Sequence, residues 1–447
     1  MGRDGELDMA LVNSVRDRNK NNRNKLESIE NTEKTINKRN RKDTSNRKGT
    51  SHRKRGKRKG LKVLMVVVSF LVIVATALFI TYKYIPGGKK FLFSKFGGTF
   101  VKCFVSAEEY ANIFDKDFDK NNIAVNPGID KDKFKGYYTL ALFGIDSRDA
   151  KMDEGVNADS IIIVSINQDT GKVVMSSIYR DTWLNIAGQT GNAAYKKINS
   201  AYCTGGAKGT IDTLNTNFDL NISDYVTINF KGLATIIDML GGLDMNISEK
   251  EAFYINDYLS ETRVVTGMDA PDVKQSGQVH LSGLQVTAFC RIRYCEFVDP
   301  NGNRFIDDMG RTARQRYVLS LMIDKAKSAG VSKVLDIAES VFGGKEDIVK
   351  TSIPYDEMME MIPTFINFEL GDTRGFPFTY DYPDPSRTDG ESAVGIGGLE
   401  YNVSKLHDYL YGHKNYAPTQ KVNEISKRLE RITGVGEILL KEDKEQK

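Results

Sequence analysis

Between residues 139 and 181 the chain alternates apolar runs with charged ends, and this stretch restricts the fold more than any other. Residues 139–145 form a short apolar run that ends on Asp146, with Ser147 and Arg148 directly after it. A polar loop carrying Asp149, Asp153 and Glu154 closes on Asp159. Residues 161–166 form a second run rich in β-branched side chains, as a buried strand favours. Asp169, Thr170 and Gly171 give a turn signal, and a third run, 172–178, leads to Arg180 and Asp181. The second and third runs predict a β-hairpin, which brings Asp159 near Arg180. Asp146 joins them if the first strand pairs alongside. Two carboxylates and an arginine at one sheet edge can hold a divalent metal and a phosphate. A plainer role also suits them, because Asp at strand ends forms turns and Asp–Arg pairs are commonly surface ion pairs.

The charge is unevenly placed. Residues 1–60 are dense in Lys, Arg, Asn and Ser and almost free of large apolar side chains, with an extreme run at Arg53 to Lys59. Such a segment buries too little apolar surface to offset chain entropy and is expected to be a disordered basic tail. Directly after it, residues 63–82 carry no charge, and about 20 apolar residues suffice to cross a hydrocarbon core. The heavier positive flank precedes the run. The expectation is a single transmembrane helix within 61–84, the tail cytoplasmic and the remainder extracytoplasmic. A cleaved signal peptide fits less well, given the long basic region before the run. A basic tail beside a span suits anionic lipid better than nucleic acid. The rest divides into a connector at 85–135, a catalytic domain at 136–415 and a charged tail at 416–447.

Further along, 183–186 reads as a continuation of the third strand. Residues 205–209 read as a loop before a helix at 210–218, since the glycines and Lys208 are in the wrong order for a phosphate loop. A strand at 225–228, a helix at 231–240 stopped by Gly241-Gly242, and a strand at 243–247 continue the alternation that marks an α/β sheet covered by helices. Residues 249–280 suggest a small helix and a flap. After a helix at 282–289, an extended Arg291-Ile292-Arg293 would put both arginines on one side. A long helix from Asp308 to about residue 329 carries Arg311, Arg314 and Gln315 on one face. Basic residues there oppose the helix dipole unless an anion or carboxylate is present. Helices are expected at 331–342, 352–365 and 404–411, with a loop-dominated wrap over 371–398. Of the four cysteines, Cys103, Cys203, Cys290 and Cys295, none forms a C-x-x-C and none has a His nearby, which disfavours zinc. Cys290 and Cys295 are expected as buried thiols, a disulfide being the alternative.

In order along the chain stand G-I-D-S-R, N-A-D-S, S-I-Y-R-D-T, K-I-N-S-A-Y, G-G-L, L-S-G-L-Q, R-I-R-Y and D-M-G-R-T-A-R-Q. With these motifs, residues 138–327 resemble the LytR–CpsA–Psr family, of which the basic tail and single span are also typical. The resemblance implies a three-layer α/β/α fold with a central mixed sheet and an apolar tunnel for a polyprenyl chain. It implies a phosphotransferase that moves an anionic glycopolymer, of teichoic acid or capsular polysaccharide type, from a polyprenyl-pyrophosphate carrier to peptidoglycan. Carried over by position, Asp146 and Asp159 would hold Mg²⁺ (or Mn²⁺), and Arg148, Arg180, Arg291, Arg293, Arg311 and Gln315 would contact the pyrophosphate. Asp308 is the candidate base and Asp181 the alternative; Arg180 and Arg311 belong to the catalytic set by neutralising charge. Two positions depart from the family pattern: Asn157 stands where Arg is usual and Tyr179 where Pro is usual. Losing that arginine removes a bidentate phosphate contact.

The chemistry agrees with the residues. Outside the membrane no nucleoside triphosphate is supplied, so the energised bond must arrive on the lipid. Arginines and a metal then neutralise the departing phosphate while a sugar hydroxyl attacks. Two other functions use the same sequence features: a lipid pyrophosphatase with water as acceptor, and a non-enzymatic membrane-bound wall-binding or regulatory protein.

Overall fold

The structure is a computed structural model that describes residues 113–146, 152, 155–188, 191, 194–342, 347–354, 357–358, 361 and 368–444. The expected basic tail, the span at 61–84 and Arg148 lie outside these residues. Among the described residues no helix is long and apolar enough to cross a membrane.

Strands β1 (Tyr137–Ile145), β2 (Ala158–Asn167) and β3 (Lys172–Ile178) come first, then β4 (Trp183–Asn185), β5 (Tyr195–Lys197) and helix α1 (Asn199–Phe218). They are followed by β6 (Asp224–Asn229), α2 (Phe230–Met239), β7 (Leu243–Ile247), α3 (Glu249–Thr266), β8 (Gly277–Leu281) and α4 (Gly283–Phe289). Next are β9 (Phe297–Val298), β10 (Arg304–Phe305), α5 (Asp307–Phe342), β11 (Val349–Thr351) and β12 (Glu369–Phe376). Then come β13 (Tyr380–Asp381), β14 (Gly395–Ile396), α6 (Leu399–Tyr411) and α7 (Gln420–Thr433).

Six strands form the central sheet in the order β11-β6-β1-β2-β3-β12. Strands β1, β2 and β3 run antiparallel in succession, while β6 is parallel to β1 and β12 parallel to β3. The sheet is therefore mixed, as expected. The apolar runs are nearly continuous because both faces are buried. Phe143, Ile161, Ile163 and Val174 pack with Ile211 of α1, Val403 of α6 and Val422 of α7. The alternate residues Leu140, Ile162, Val164 and Met175 pack on the other face with Leu319 and Ile323 of α5.

Several expectations need correction. Residues 183–186 do not extend β3; the chain turns at Arg180–Asp181 and 183–185 pair with β5 instead. The glycine-rich loop at 205–209 is helical, within an α1 that is broken only at Gly206 (φ 59, ψ −153). Residues 249–280 hold an 18-residue helix, started by a Ser248–Glu251 capping box, and a strand paired to β7. The wrap at 371–398 begins as part of β12, an edge strand of the main sheet. Of the helix expected at 352–365, the described residues 357, 358 and 361 are helical and 352–354 are not. In the expected charged tail, α7 buries Val422, Ile425 and Leu429. The connector reaches the core through Ile113 and Phe134. Gly330 (φ 83, ψ 169) interrupts α5, between the two helices expected from the sequence.

Candidate active site

Strands β1, β3 and β6 end, and the antiparallel β2 begins, at one edge of the sheet. In the β2–β3 ladder Ile161 stands opposite Ile178. Two residues further, that register sets Asp159 against Arg180, and Arg180 Nη1 donates to Asp159 Oδ1 at 2.7 Å. On the other side of β2, Gly144 lies so close to Ser160 that a Cβ there would come within 2.9 Å of the Ser160 Cβ. The absent side chain lets β1 and β2 close together just before Asp146.

Helix α5 brings its N-terminus to the same edge. Asp307 and Asp308 occupy its first turn, where the helix dipole favours carboxylates. Arg311, one turn on, is buried; its Nε lies 2.9 Å from Asp308 Oδ1 and its Nη1 3.8 Å from Asp159 Oδ2. Arg180 Nε and Arg293 Nε stand 3.5 and 3.7 Å from the same Asp308 oxygen. Three guanidinium groups thus share two carboxylates. Asp308 answers the conflict between basic residues and the helix dipole that the sequence raised.

The charges perturb one another. Burial pushes the Asp159 carboxyl up, but the Arg311 and Arg180 charges outweigh it and hold it below the usual carboxylate range. Burial lowers Arg180, yet Asp159 and Asp308 more than compensate and its guanidinium is held more tightly protonated. For Arg311 burial dominates; Arg180 and Arg293 add to it, and Asp308 and Asp159 do not fully offset it. Arg311 is therefore short of negative charge, a condition that an incoming oxyanion would relieve.

The Arg291-Ile292-Arg293 triplet belongs to no strand, and Arg291 lies in the turn after α4. Even so, both arginines line the same cavity while Ile292 is buried in the core. Arg291 is held by Glu261 (2.8 Å) and Thr262 (2.9 Å) and stacks over Phe230, 4.7 Å from the ring centre. The expectation that Arg311, Arg314 and Gln315 share a functional face fails at Arg314. Its guanidinium is fully buried against Glu251 Oε1 at 3.0 Å and the carbonyls of Cys295 and Glu296. Gln315 lines the cavity and donates to the Cys290 carbonyl at 3.3 Å. Asp181 stands to one side, with Arg180 Nε at 3.6 Å and Lys197 Nζ at 3.5 Å. Cys203, Cys290 and Cys295 are free thiols, and burial pushes the Cys290 thiol up to about 12, as for a buried structural cysteine.

The cavity measures about 610 Å³. Asp146, Asp159, Arg291, Arg293, Arg311 and Gln315 are among its polar lining, with Ser160, Asn229, Tyr258 and Glu261, and Leu142, Ile162, Ile236, Leu319, Met322 and Ile337 lie among its apolar walls. Arg180, Asp181 and Asp308 are not among the residues that line it; Arg180 and Asp308 contact lining residues from behind. Among the described residues no cluster of three or more His, Cys, Asp or Glu side chains is arranged around a metal position. Asp146, directly after β1, and Asp159 of β2 both line the cavity, and carboxylates are the ligand type of a hard divalent cation, which completes its shell with water and phosphate oxygens. Sequence reasoning missed Tyr258 and Glu261, which hold Arg291, because α3 was read as a short helix and a flap, and it gave no role to Phe230 at the start of α2, over which Arg291 stacks. It also gave no role to Lys197, whose signal was its place in K-I-N-S-A-Y.

Asn157 is exposed, two residues before Asp159. Tyr179 is buried, and a Cβ on Gly375 of β12 would overlap its phenol. The missing side chain at 375 therefore makes room for a tyrosine where the family pattern has proline.

The LytR_cpsA_psr family model matches residues 99–370. A polyisoprenyl-teichoic acid–peptidoglycan teichoic acid transferase TagU of Enterococcus faecalis is 29% identical over 225 residues, covering 50% of this chain and 64% of that protein. Biofilm regulatory protein A of Streptococcus mutans is 31% identical over 244 residues, 51% of this chain and 55% of that one. The chain thus spans less than two thirds of either curated relative. The crystal structure of protein gbs0355 from Streptococcus agalactiae shares the fold at 24% identity and a TM-score of 0.50, covering 65% of this chain and 92% of that one.

Proposed function

The chain belongs to the LytR_cpsA_psr family, and from that premise we propose that it transfers an anionic glycopolymer from a polyprenyl-pyrophosphate carrier to peptidoglycan outside the membrane. One observation carries the reading: a single cavity has apolar walls and a lining of arginines and aspartates. That combination matches a ligand with a hydrocarbon tail and a pyrophosphate head.

In this reading the prenyl chain occupies the apolar walls and the pyrophosphate meets Arg291, Arg293 and Arg311, with Arg180 supporting Asp159. An acceptor sugar hydroxyl attacks the phosphorus that carries the glycan. The bond from that phosphorus to the bridging oxygen breaks, and polyprenyl monophosphate leaves. Arg311 and Arg293 neutralise charge on the departing phosphate in a water-poor site, where fixed donors are most effective. The hydroxyl proton passes to a carboxylate. Asp308 pairs with three guanidinium groups, the nearest at 2.9 Å, whereas Asp181 has one guanidinium and one ammonium, neither closer than 3.5 Å. This geometry favours Asp181 as base and Asp308 as the residue that positions the arginines. Asp146 and Asp159 would hold Mg²⁺, which would supply further charge neutralisation on the pyrophosphate. The uncharged run at 63–82 would anchor the chain with its N-terminus in the cytoplasm.

The test is transfer by the full chain in detergent, with a polyprenyl-pyrophosphate oligosaccharide, peptidoglycan and Mg²⁺. Sugar bound to peptidoglycan, lost on chelation and in Asp159→Ala, supports the proposal. Glycan phosphate released without attachment identifies a pyrophosphatase instead, and unimpaired transfer by Asp159→Ala overturns the assigned roles.

A further inference from the structure

A second cavity, of about 330 Å³, is lined by Trp183, Tyr195, Arg387, Asp389, Arg428 and Arg431. Trp183 is 2% exposed, and its indole N–H is buried without an acceptor among the described residues. A buried indole N–H ordinarily has a partner. Arg428 and Arg431 are three residues apart on α7 and so project to one side of it. Arg387 donates Nε and Nη2 to the carbonyls of Ile432 and Arg431, at 3.0 and 2.9 Å. Those bonds fix its guanidinium over the C-terminal end of the helix, where a cation is favoured. Three guanidinium groups and one carboxylate, Asp389, therefore line this cavity.

The cavity is linked through ion pairs to Asp181, the proposed base. The loop bearing Arg387 and Asp389 continues to Glu391, whose Oε2 is 2.9 Å from Lys197 Nζ. Lys197 in turn lies 3.5 Å from Asp181, and Trp183 follows Asp181 by two residues.

We propose that this second cavity is a subsite for an acidic glycan segment, held apart from the bond being made. Guanidinium forks match carboxylate and phosphate oxygens, and the Trp183 N–H supplies a buried donor to the same oxyanion or to a sugar hydroxyl beside it. That the ligand is a wall glycan rests on the transferase reading; anion binding here does not.

The sequence contains a single tryptophan, so indole fluorescence reports on this cavity alone. The full chain in detergent is titrated with a peptidoglycan disaccharide-peptide, a glycerol-phosphate oligomer and inorganic phosphate. A saturable change in Trp183 emission is expected with at least one of the two polymer fragments. Half-saturation should rise at least tenfold in Arg431→Gln and in Arg428→Gln, and stay unchanged in Asp159→Ala. Saturation by the carboxylate-bearing fragment assigns the subsite to the acceptor, and saturation by the phosphate oligomer assigns it to the donor polymer. No saturable change with either fragment, or a response that both arginine variants retain, overturns the subsite. A preserved response in a chain without transfer activity leaves the subsite standing and removes only the transferase reading.

Discussion

Asp159 shows how one carboxylate serves stability and chemistry together. Its folded pKa lies below the usual range because the Arg311 and Arg180 charges overcome burial. A depressed carboxylate pKa adds stability that is fully present above the unfolded value of about 3.9 and is lost as pH falls through the folded value. Denaturant melts at stepped pH should therefore show a loss of stability below about pH 4, and Asp159→Asn should flatten that part of the slope. At neutral pH the variant leaves Arg180 and Arg311 facing each other with one anion fewer, and a cost of roughly 1–3 kcal/mol is expected. Inorganic pyrophosphate should stabilise Asp159→Asn more than the parent chain. Arg314 gives the opposite case, a guanidinium with no access to ligand. Arg314→Ala strands Glu251 in the core and should cost about 3–5 kcal/mol, while an Arg314→Met, Glu251→Leu pair should recover only part of it, because Glu251 also closes the Ser248 capping box. A transfer rate per folded molecule close to that of the parent in the double variant would separate Arg314 from the site. The Asp159–Arg180 pair was legible in the sequence because a hairpin's register follows from its turn. The separate fates of Arg311 and Arg314 were not, because helical spacing gives a shared face but not the neighbour that face will meet.

At the scale of elements, close approach decides which helices frame the cavity. Gly283 opens α4 directly against α2, and a Cβ there would overlap the Ala234 carbonyl. Backbone that close cannot yield as a flexible side chain would. Gly283→Ala should destabilise by about 3 kcal/mol, toward the upper end for overpacking, read as a lower urea midpoint with an unchanged slope. A shift below about 0.5 kcal/mol would show that α2 and α4 separate freely, within the range of ordinary surface substitutions. The helix expected at 282–289 is present, and the structure adds a Ser282 capping box at its start, since capping is local chemistry. The partner of the glycine lies some fifty residues earlier and left no local signal. Gly330 was readable for the converse reason: a positive φ is a property of one residue. The 249–280 segment and α7 were misread because their charged faces dominate the composition, while Ile255 and Leu259, or Val422, Ile425 and Leu429, form a narrow buried stripe.

Over the whole molecule, the cavity is the feature that strand and helix periodicity could not supply. Leu142, Val226, Ile236, Met322 and Val349 line it from β1, β6, α2, α5 and β11, and each reads in sequence as ordinary core. Only the family resemblance implied an apolar tunnel, and its walls became visible once distant elements were assembled. A cavity that merely reflects imperfect packing would accept a larger side chain with a gain in stability. A cavity that holds a prenyl chain would lose donor affinity instead. Met322→Trp distinguishes the two. Each CH₂ taken out of water contributes about 0.8 kcal/mol, so excluding one isoprene unit weakens binding by on the order of 3 kcal/mol. The variant should melt no lower than the parent yet bind a long polyprenyl pyrophosphate about a hundredfold more weakly. It should bind a short geranyl analogue with nearly unchanged affinity, because the arginines at the polar end are untouched. Equal losses for long and short donors would place the prenyl chain elsewhere and leave the cavity to the core.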